Sequence, residues 1–142
     1  MTEPLYIKSI LLVEDSEDDY EAILRASQKV GLKYPIIWCR TGQQALAYLE
    51  EGKSGALPVL IFLDLNMPGL DGRKILQHIK QDAGLQHIPV IILTTSASER
   101  DVKACYQAGA NSYIQKPLDY EGLTQTIRCI GDYWLETALL PI

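Results

Sequence analysis

The chain has 142 residues, of which 47% are hydrophobic and 22% are charged, and its formal net charge is −5. This length and composition fit one globular domain, long enough to bury a core and too short for two. Nucleic-acid binding requires basic clusters, and the longest Lys/Arg run is the pair Arg73-Lys74, so we expect no nucleic-acid partner. No apolar run approaches the roughly 20 residues of a membrane span, and the first residues lack a signal-peptide pattern. We therefore expect a cytoplasmic protein with no membrane partner.

The first strand and helix are predicted from a short segment with strong signals. Residues 8–15, KSILLVED, predict an apolar strand that ends in two acids. Ser16 then predicts an N-cap, with Asp19 three residues later as in a capping box. Gly31 suits the C-terminal end of the helix that follows. The sequence therefore predicts a strand followed directly by a helix over 16–31.

The same alternation continues through the rest of the chain. Further strands are predicted at 34–40, 59–64, 88–95 and 111–117, and further helices at 41–52, 72–82, 99–109 and 120–134. Alternating strands and helices with short links, and strands that are apolar almost throughout, indicate a parallel sheet with helices on both faces. The fold class predicted from the residues is therefore α/β.

Charged and polar residues stand where the predicted strands end. Glu14 and Asp15 follow the first strand, Asp64 the third and Thr94 the fourth, and Lys116 stands near the end of the fifth. Each is common at a strand end on its own, an aspartate most often as an N-cap. Ligands of open parallel sheets bind at the carboxyl ends of the strands, so the joint occurrence of these residues predicts a site there.

The chemistry of these side chains indicates phosphoryl transfer. Clustered carboxylates repel one another unless a cation neutralises them, and such an oxygen ligand set suits Mg²⁺, with Mn²⁺ as an alternative. Asp64 could act as a nucleophile that forms an acyl phosphate. Thr94 and Lys116 would then donate hydrogen bonds to the phosphoryl oxygens. The residues thus predict a phosphoryl-accepting aspartate beside a divalent cation.

Four stretches, LLVEDSEDD, IFLDLNMPGLDG, VIILTTS and YIQKP, resemble the signature sequences of response-regulator receiver domains of two-component signalling. The resemblance covers residues 8–134, with an N-terminal arm at 1–7 and an apolar C-terminal extension at 135–142. It implies a single flavodoxin-like (βα)5 domain with strand order 2-1-3-4-5. It also implies that Asp64 takes a phosphoryl group from the phosphohistidine of a kinase. Such a protein is a phosphoacceptor that assists its own phosphotransfer and dephosphorylation, not an enzyme in the usual sense.

The resemblance further implies how the cation is held. Asp15 and Asp64 would bind Mg²⁺ directly, and Asn66 would contribute its backbone carbonyl. Glu14, which stands where the family often has a second aspartate, would act mainly through a bound water.

A switch is implied by the same resemblance. Thr94 and Tyr113 match the family's switch pair, in which Tyr113 turns inward when Thr94 moves toward the phosphoryl group. Lys116 would bridge to the phosphate, and its peptide bond to Pro117 is expected to be cis.

The end of the chain carries a prediction about output. We expect no effector domain after the last predicted helix, and we therefore expect the signal to leave through protein contacts. The tail YWLETALLPI is apolar, and it either packs back on its own domain or forms a subunit interface; we favour the interface. The tail also resembles that of small response regulators paired with cyanobacterial phytochrome histidine kinases. This likeness implies a phytochrome-type kinase as phosphodonor and a homodimer through helix 4, strand 5 and helix 5.

Alternative functions differ in how well they fit the sequence. A haloacid-dehalogenase-type phosphohydrolase needs a second acid two residues after its nucleophile, and Asn66 stands there. A flavin carrier needs a glycine-rich first link, and VEDSEDD is acidic. A receiver that takes no phosphate conflicts with the intact Asp15, Asp64 and Lys116. An intermediate in a phosphorelay, which passes the phosphoryl group to a histidine phosphotransfer protein, stays open as an alternative.

The cysteines and histidines are predicted to have no part in the chemistry. Cys39, Cys105 and Cys129 are odd in number and widely spaced, so we expect reduced core thiols and neither a disulfide nor a zinc site. His78 and His87 are expected to be surface or structural residues, away from the site.

Overall fold

Strands and helices alternate in the order that the sequence predicts. The computed structural model describes residues 8–69 and 71–141, so the predicted N-terminal arm at 1–7 and the last residue of the extension lie outside the described residues. The elements are β1 Ile10–Val13, α1 Glu17–Val30, β2 Ile36–Cys39, α2 Gly42–Gly52, β3 Leu60–Leu63, α3 Gly72–Gln81, β4 Val90–Thr94, α4 Glu99–Gln107, β5 Ser112–Gln115 and α5 Tyr120–Ile130. A π-helical turn, Gly131–Thr137, continues α5 without a break.

The five strands form one parallel sheet in the order β2-β1-β3-β4-β5, which confirms the predicted topology. Val13 at the end of β1 is paired with Cys39 of β2 and with Leu63 of β3. Leu63 in turn is paired with Ile92 of β4. The carboxyl ends of the three central strands therefore meet at one edge of the sheet.

The core consists of two layers, one on each face of the sheet. Side chains of a strand point alternately to opposite faces, so Leu11 and Val13 of β1 lie in one layer and Ile10 and Leu12 in the other. The first layer is covered by buried residues of α2, α3 and α4, and the second by those of α1 and α5. Burial on both faces explains why the strand sequences are apolar throughout.

The start of α1 differs in one detail from the predicted capping box. Ser16 is the N-cap, and its hydroxyl accepts a hydrogen bond from the backbone N–H of Asp19 at 3.2 Å. The reciprocal bond is not made, because the backbone N–H of Ser16 donates instead to Glu14 Oε2 at 3.2 Å. The carboxylate of Asp19 accepts from Lys116. Gly31 ends the helix with φ +70°, as predicted.

The apolar tail that begins at Tyr133 packs partly on its own domain. Trp134, Leu135 and Leu140 contact the core layer between α1, α5 and the sheet, and Leu135 is only 8% exposed. Part of this tail therefore packs back on its own domain, the alternative that the sequence analysis did not favour. Tyr133 and Leu139 remain as exposed apolar or aromatic side chains.

Replacing Leu135 with alanine is expected to lower the free energy of unfolding by about 2–4 kcal/mol, because a buried leucine side chain is lost and a cavity remains. Leu139→Ala is the matched control, since Leu139 is 99% exposed and should change stability by at most about 0.5 kcal/mol. Urea denaturation of both variants measures the difference. Equal, small effects would show that the π-helical turn does not anchor the tail.

Two of the three cysteines are buried as predicted. Burial raises the pKa of the Cys39 and Cys105 thiols. The prediction was wrong for Cys129, which is exposed. The reason is helical register: α5 buries Leu123 and Ile127, and position 129 falls on the opposite side.

The surface positions of His78 and His87 agree with the sequence analysis, since both residues are exposed. Within residues 8–69 and 71–141, no helix is both long enough and apolar enough to cross a membrane.

Candidate functional site

Three carboxylates lie together where β1 and β3 end. The strand pairing extends one residue beyond both strands, because the backbone N–H of Asp64 donates to the carbonyl of Val13 at 3.1 Å. This places Asp64 beside Glu14 and Asp15, and carboxylate oxygens of the three lie within 4.8 Å of one another. Glu14 is 1% exposed and Asp64 6% exposed. The sheet therefore concentrates negative charge in a largely buried place.

Lys116 partly balances this charge. Its backbone N–H donates to the carbonyl of Thr94 at 2.7 Å, which fixes the end of β5 against β4. Its ammonium donates to Glu14 Oε1 and to Asp19 Oδ2, the latter at 2.8 Å, and lies 3.6 Å from Asp64 Oδ2. Burial favours the neutral amine, but the hydrogen bonds to Asp19 and Glu14 outweigh it and raise the pKa of Lys116.

The carboxyl group of Glu14 is harder to ionise than that of a free glutamate side chain. Burial raises the pKa of this carboxyl group from 4.5 to about 7, and the charge of Asp64 adds to the rise, although Lys116 opposes it. A divalent cation would favour the ionised form. Hard oxygen donors in close proximity are the ligand set that Mg²⁺ and related cations prefer, so the residues present fit such an ion.

Affinity for Mg²⁺ is expected to be about tenfold weaker at pH 6 than at pH 8, because the cation competes with a proton on Glu14 whose pKa is about 7. The sign follows from the raised pKa: below pH 7 the carboxyl group is mostly protonated, and above pH 7 it is mostly free. Calorimetric titration at both pH values measures the ratio. Glu14→Gln should remove most of the difference, and a wild-type affinity that does not change over this range would contradict the assignment.

The remaining predicted residues surround the acids. Thr94 is fully buried at the end of β4, and its hydroxyl accepts a hydrogen bond from the Asn66 side-chain amide at 3.3 Å. The backbone N–H of Asn66 donates to Asp64 Oδ1 at 3.3 Å. Asn66 thus connects Asp64 to Thr94, and the sequence analysis did not predict this bridge.

Tyr113 stands apart from the acids. Its hydroxyl donates to the backbone carbonyl of Ser96 at 2.9 Å, in the loop that follows β4. Burial raises the pKa of this hydroxyl. The peptide bond between Lys116 and Pro117 is not cis, so that expectation was wrong.

Two neighbours of the site were missed by the sequence analysis. One is Asp19, the second hydrogen-bond acceptor of Lys116. The other is Trp38 on β2, whose indole N–H donates to the backbone carbonyl of Glu14 at 2.7 Å. Tyr20 stacks on Trp38 with ring centroids 3.9 Å apart, and the Arg40 guanidinium lies 4.8 Å from the centroid of the same tryptophan ring. Contacts between residues so distant in the chain leave no local sequence signal.

One known protein family matches most of the chain. The sequence model of the response regulator receiver domain matches residues 10–128. The chain belongs to the receiver family. Receiver domains accept a phosphoryl group in two-component signalling, and this is the general function that membership gives.

Curated relatives agree over nearly the whole receiver. This chain is 43% identical over 128 residues to the probable methanogenesis regulatory protein FilR2 of Methanothrix harundinacea, and the match covers 89% of this chain and 83% of that protein. It is 40% identical over 137 residues to response regulator Rcp1 of Synechocystis sp., covering 94% of this chain and 93% of Rcp1.

Solved structures show the same fold as this receiver. The Mn²⁺-bound form of Rcp1 has a TM-score of 0.86 at 40% identity, covering 95% of this chain and 99% of that one. The phosphorylated cyanobacterial phytochrome response regulator RcpA has a TM-score of 0.88 at 39% identity, covering 96% and 99%. One of these relatives is therefore known with Mn²⁺ bound, and the other in a phosphorylated form.

Proposed function

We propose that this receiver is a cytoplasmic response regulator that accepts a phosphoryl group on Asp64 from a sensor histidine kinase. The observation that carries the proposal is the placement of the Asp64 carboxylate, 6% exposed, beside two further acids and 3.6 Å from the ammonium of Lys116. A carboxylate nucleophile needs this combination of negative ligands for a cation and a positive donor for phosphoryl oxygens.

Metal binding is proposed for four residues. Asp15 and Asp64 would bind Mg²⁺, or Mn²⁺ in its place, through their carboxylates, Asn66 through its backbone carbonyl, and Glu14 through a bound water. The bound cation would supply positive charge that offsets the negative charge of the transferring phosphoryl group.

The transfer itself is a displacement at phosphorus. An oxygen of the Asp64 carboxylate forms a bond to phosphorus, the phosphorus–nitrogen bond of the donor phosphohistidine breaks, and its electron pair goes to the imidazole nitrogen. Lys116 and Thr94 would donate hydrogen bonds to the phosphoryl oxygens, which stabilises the charge that they carry. Thr94 is fully buried beside Asp64, and its hydroxyl now accepts a hydrogen bond from the Asn66 side chain.

A change of contacts after phosphorylation is proposed for Thr94 and Tyr113. When Thr94 turns to the phosphoryl group, its hydrogen bond from Asn66 is replaced. Tyr113 would then exchange its bond to the Ser96 carbonyl for an inward position. The phosphoryl group can shift this equilibrium only by the difference in its interaction with the two arrangements.

A phytochrome-type kinase is the proposed phosphodonor, because RcpA is a phytochrome response regulator and is 39% identical to this chain. A groove of about 160 Å³ opens next to the site, between α1 and the segment after β5, and its lining includes Ile23, Lys116 and Leu118. Its lining combines apolar side chains with charged ones, and a kinase surface that presents a phosphohistidine to Asp64 would contact it.

Output through a homodimer is proposed as well. Tyr106 on α4, Leu118 after β5 and Tyr133 after α5 are large apolar or aromatic side chains that remain exposed. They belong to the segment that runs from α4 through β5 and α5 to the π-helical turn, and exposed apolar surface of this kind usually marks association.

Intact mass after incubation with acetyl phosphate and Mg²⁺ tests the proposed function. One added phosphoryl group is expected for the wild type, and none for Asp64→Asn or in the presence of EDTA. No addition under any condition would overturn the proposal. Size-exclusion chromatography of the same samples tests the dimer, and transfer from candidate kinases and onward to histidine phosphotransfer proteins separates a terminal regulator from a phosphorelay intermediate.

A further inference from the structure

The hydrogen bond between Lys116 and Asp19 has no part in the function described so far. The Lys116 ammonium lies 2.8 Å from Asp19 Oδ2, within hydrogen-bond distance, but 3.6 Å from Asp64 Oδ2, which is beyond it. The lysine side chain is only 9% exposed, and that of Asp19 is 44% exposed. The ammonium is therefore held from the outside of the site by a carboxylate of α1.

Asp19 is well fixed for such a role. It lies in the first turn of α1, where its own backbone N–H donates to the hydroxyl of the N-cap, Ser16. The N–H of Ser16 donates to Glu14 Oε2, and Glu14 is the other acceptor of Lys116. The start of α1, the end of β1 and the end of β5 are thus joined in one hydrogen-bonded network.

We propose that Asp19 is a positioning residue that holds Lys116 back from Asp64 and partly neutralises it until the phosphoryl group arrives. The inference rests on the proposed function, because it concerns how Lys116 is delivered to the phosphoryl oxygens. A phosphoryl group on Asp64 brings strong acceptor oxygens to within reach of the ammonium, and Asp19 competes with them for the same donor.

This role has two consequences of opposite sign. Without the Asp19 charge, Lys116 carries more uncompensated positive charge next to Glu14 and Asp64, so a divalent cation binds more weakly. The same ammonium, no longer bonded to the Asp19 carboxylate, interacts more strongly with phosphoryl oxygens, so phosphorylation by a small donor is faster once the cation is saturating. A merely structural defect would weaken both properties together.

Asp19→Asn tests the proposal, and Asp18→Asn is the matched control because it removes the same charge from an exposed neighbour on the same turn. We expect the Mg²⁺ dissociation constant, measured by calorimetry, to rise about threefold to tenfold for Asp19→Asn only. At saturating Mg²⁺, the rate of phosphorylation by acetyl phosphate should rise by a similar factor. In a Lys116→Met background, Asp19→Asn should change the dissociation constant no more than Asp18→Asn does, because the partner is gone.

The remaining outcomes overturn the inference. Identical behaviour of Asp19→Asn and Asp18→Asn, or a loss of both affinity and rate in Asp19→Asn, would show that the contact does not control Lys116. If wild-type protein is never phosphorylated, the proposed function fails, whereas the metal titrations still decide whether Asp19 restrains Lys116.

Discussion

Gly72→Ala is expected to lower the free energy of unfolding by about 3 kcal/mol or more, because the added methyl group has no room. A Cβ atom at this position would lie 2.1 Å from the carbonyl oxygen of Asp64 and 2.8 Å from the Cα of Leu65. Both are backbone atoms, so the strain cannot be relieved by a side-chain rotation. Gly72, the first residue of α3, packs directly on the backbone of Asp64 and Leu65. We therefore expect phosphoryl acceptance to fall as well.

Urea denaturation and intact mass after treatment with acetyl phosphate measure the two effects. Gly31→Ala is the control, because Gly31 has a positive φ of +70° but open space around a built Cβ. Gly31→Ala should lower the free energy of unfolding by only about 1 kcal/mol, the cost of a non-glycine residue at positive φ, and should leave phosphorylation unchanged. A Gly72 variant as stable as the Gly31 variant would show that the loop after β3 can move away from α3.

Lys116→Met is expected to have the second large effect, a loss of about 3 kcal/mol of stability at pH 8 without divalent cation, because a buried carboxylate loses its partner. Glu14, 1% exposed, accepts one of the hydrogen bonds that Lys116 donates. Its pKa in the folded wild type is already about 7, above the value of 4.5 for a free side chain, and it should rise further in the variant.

The pH dependence of this loss follows from the direction of that shift. A carboxyl group with a raised pKa in the folded state contributes full stability below its unfolded pKa and loses it as pH rises through the folded pKa. The gap between variant and wild type should therefore be small at pH 5 and largest at pH 8, and saturating Mg²⁺ should narrow it. Denaturation in EDTA from pH 5 to 8 measures it. Lys53→Met, which removes an exposed pair with Glu50 and Asp82, should show no such dependence.

The sequence predicted the fold well because its evidence was local and repeated. Apolar strands, helical periodicity and the N-cap at Ser16 are properties of neighbouring residues, and each was found as expected. The strand order came from the family resemblance and is confirmed by the sheet. Since residues at the carboxyl ends of parallel strands share one edge, the grouping of Glu14, Asp15 and Asp64 followed as well.

What could not be predicted depends on how distant segments meet. Asp19 was assigned to a capping box, but β5 brings Lys116 over the first turn of α1 and takes its carboxylate. Cys129 was expected in the core because free cysteines usually are buried, and the register of α5 puts it outside. The bond before Pro117 was expected to be cis by family likeness alone, and the structure has it otherwise.

The contact between Trp38 and Glu14 gives the protein an optical reporter of its own site. The indole N–H donates to the backbone carbonyl of Glu14, a residue of the acidic cluster, and Tyr20 and Arg40 lie against the ring. The chain has only two tryptophans, so Trp134→Phe would leave Trp38 as the sole tryptophan, which can be excited selectively at wavelengths that tyrosine does not absorb. The emission of that indole would then follow each occupant of the cluster, from proton to cation to phosphoryl group, in unlabelled protein and in real time.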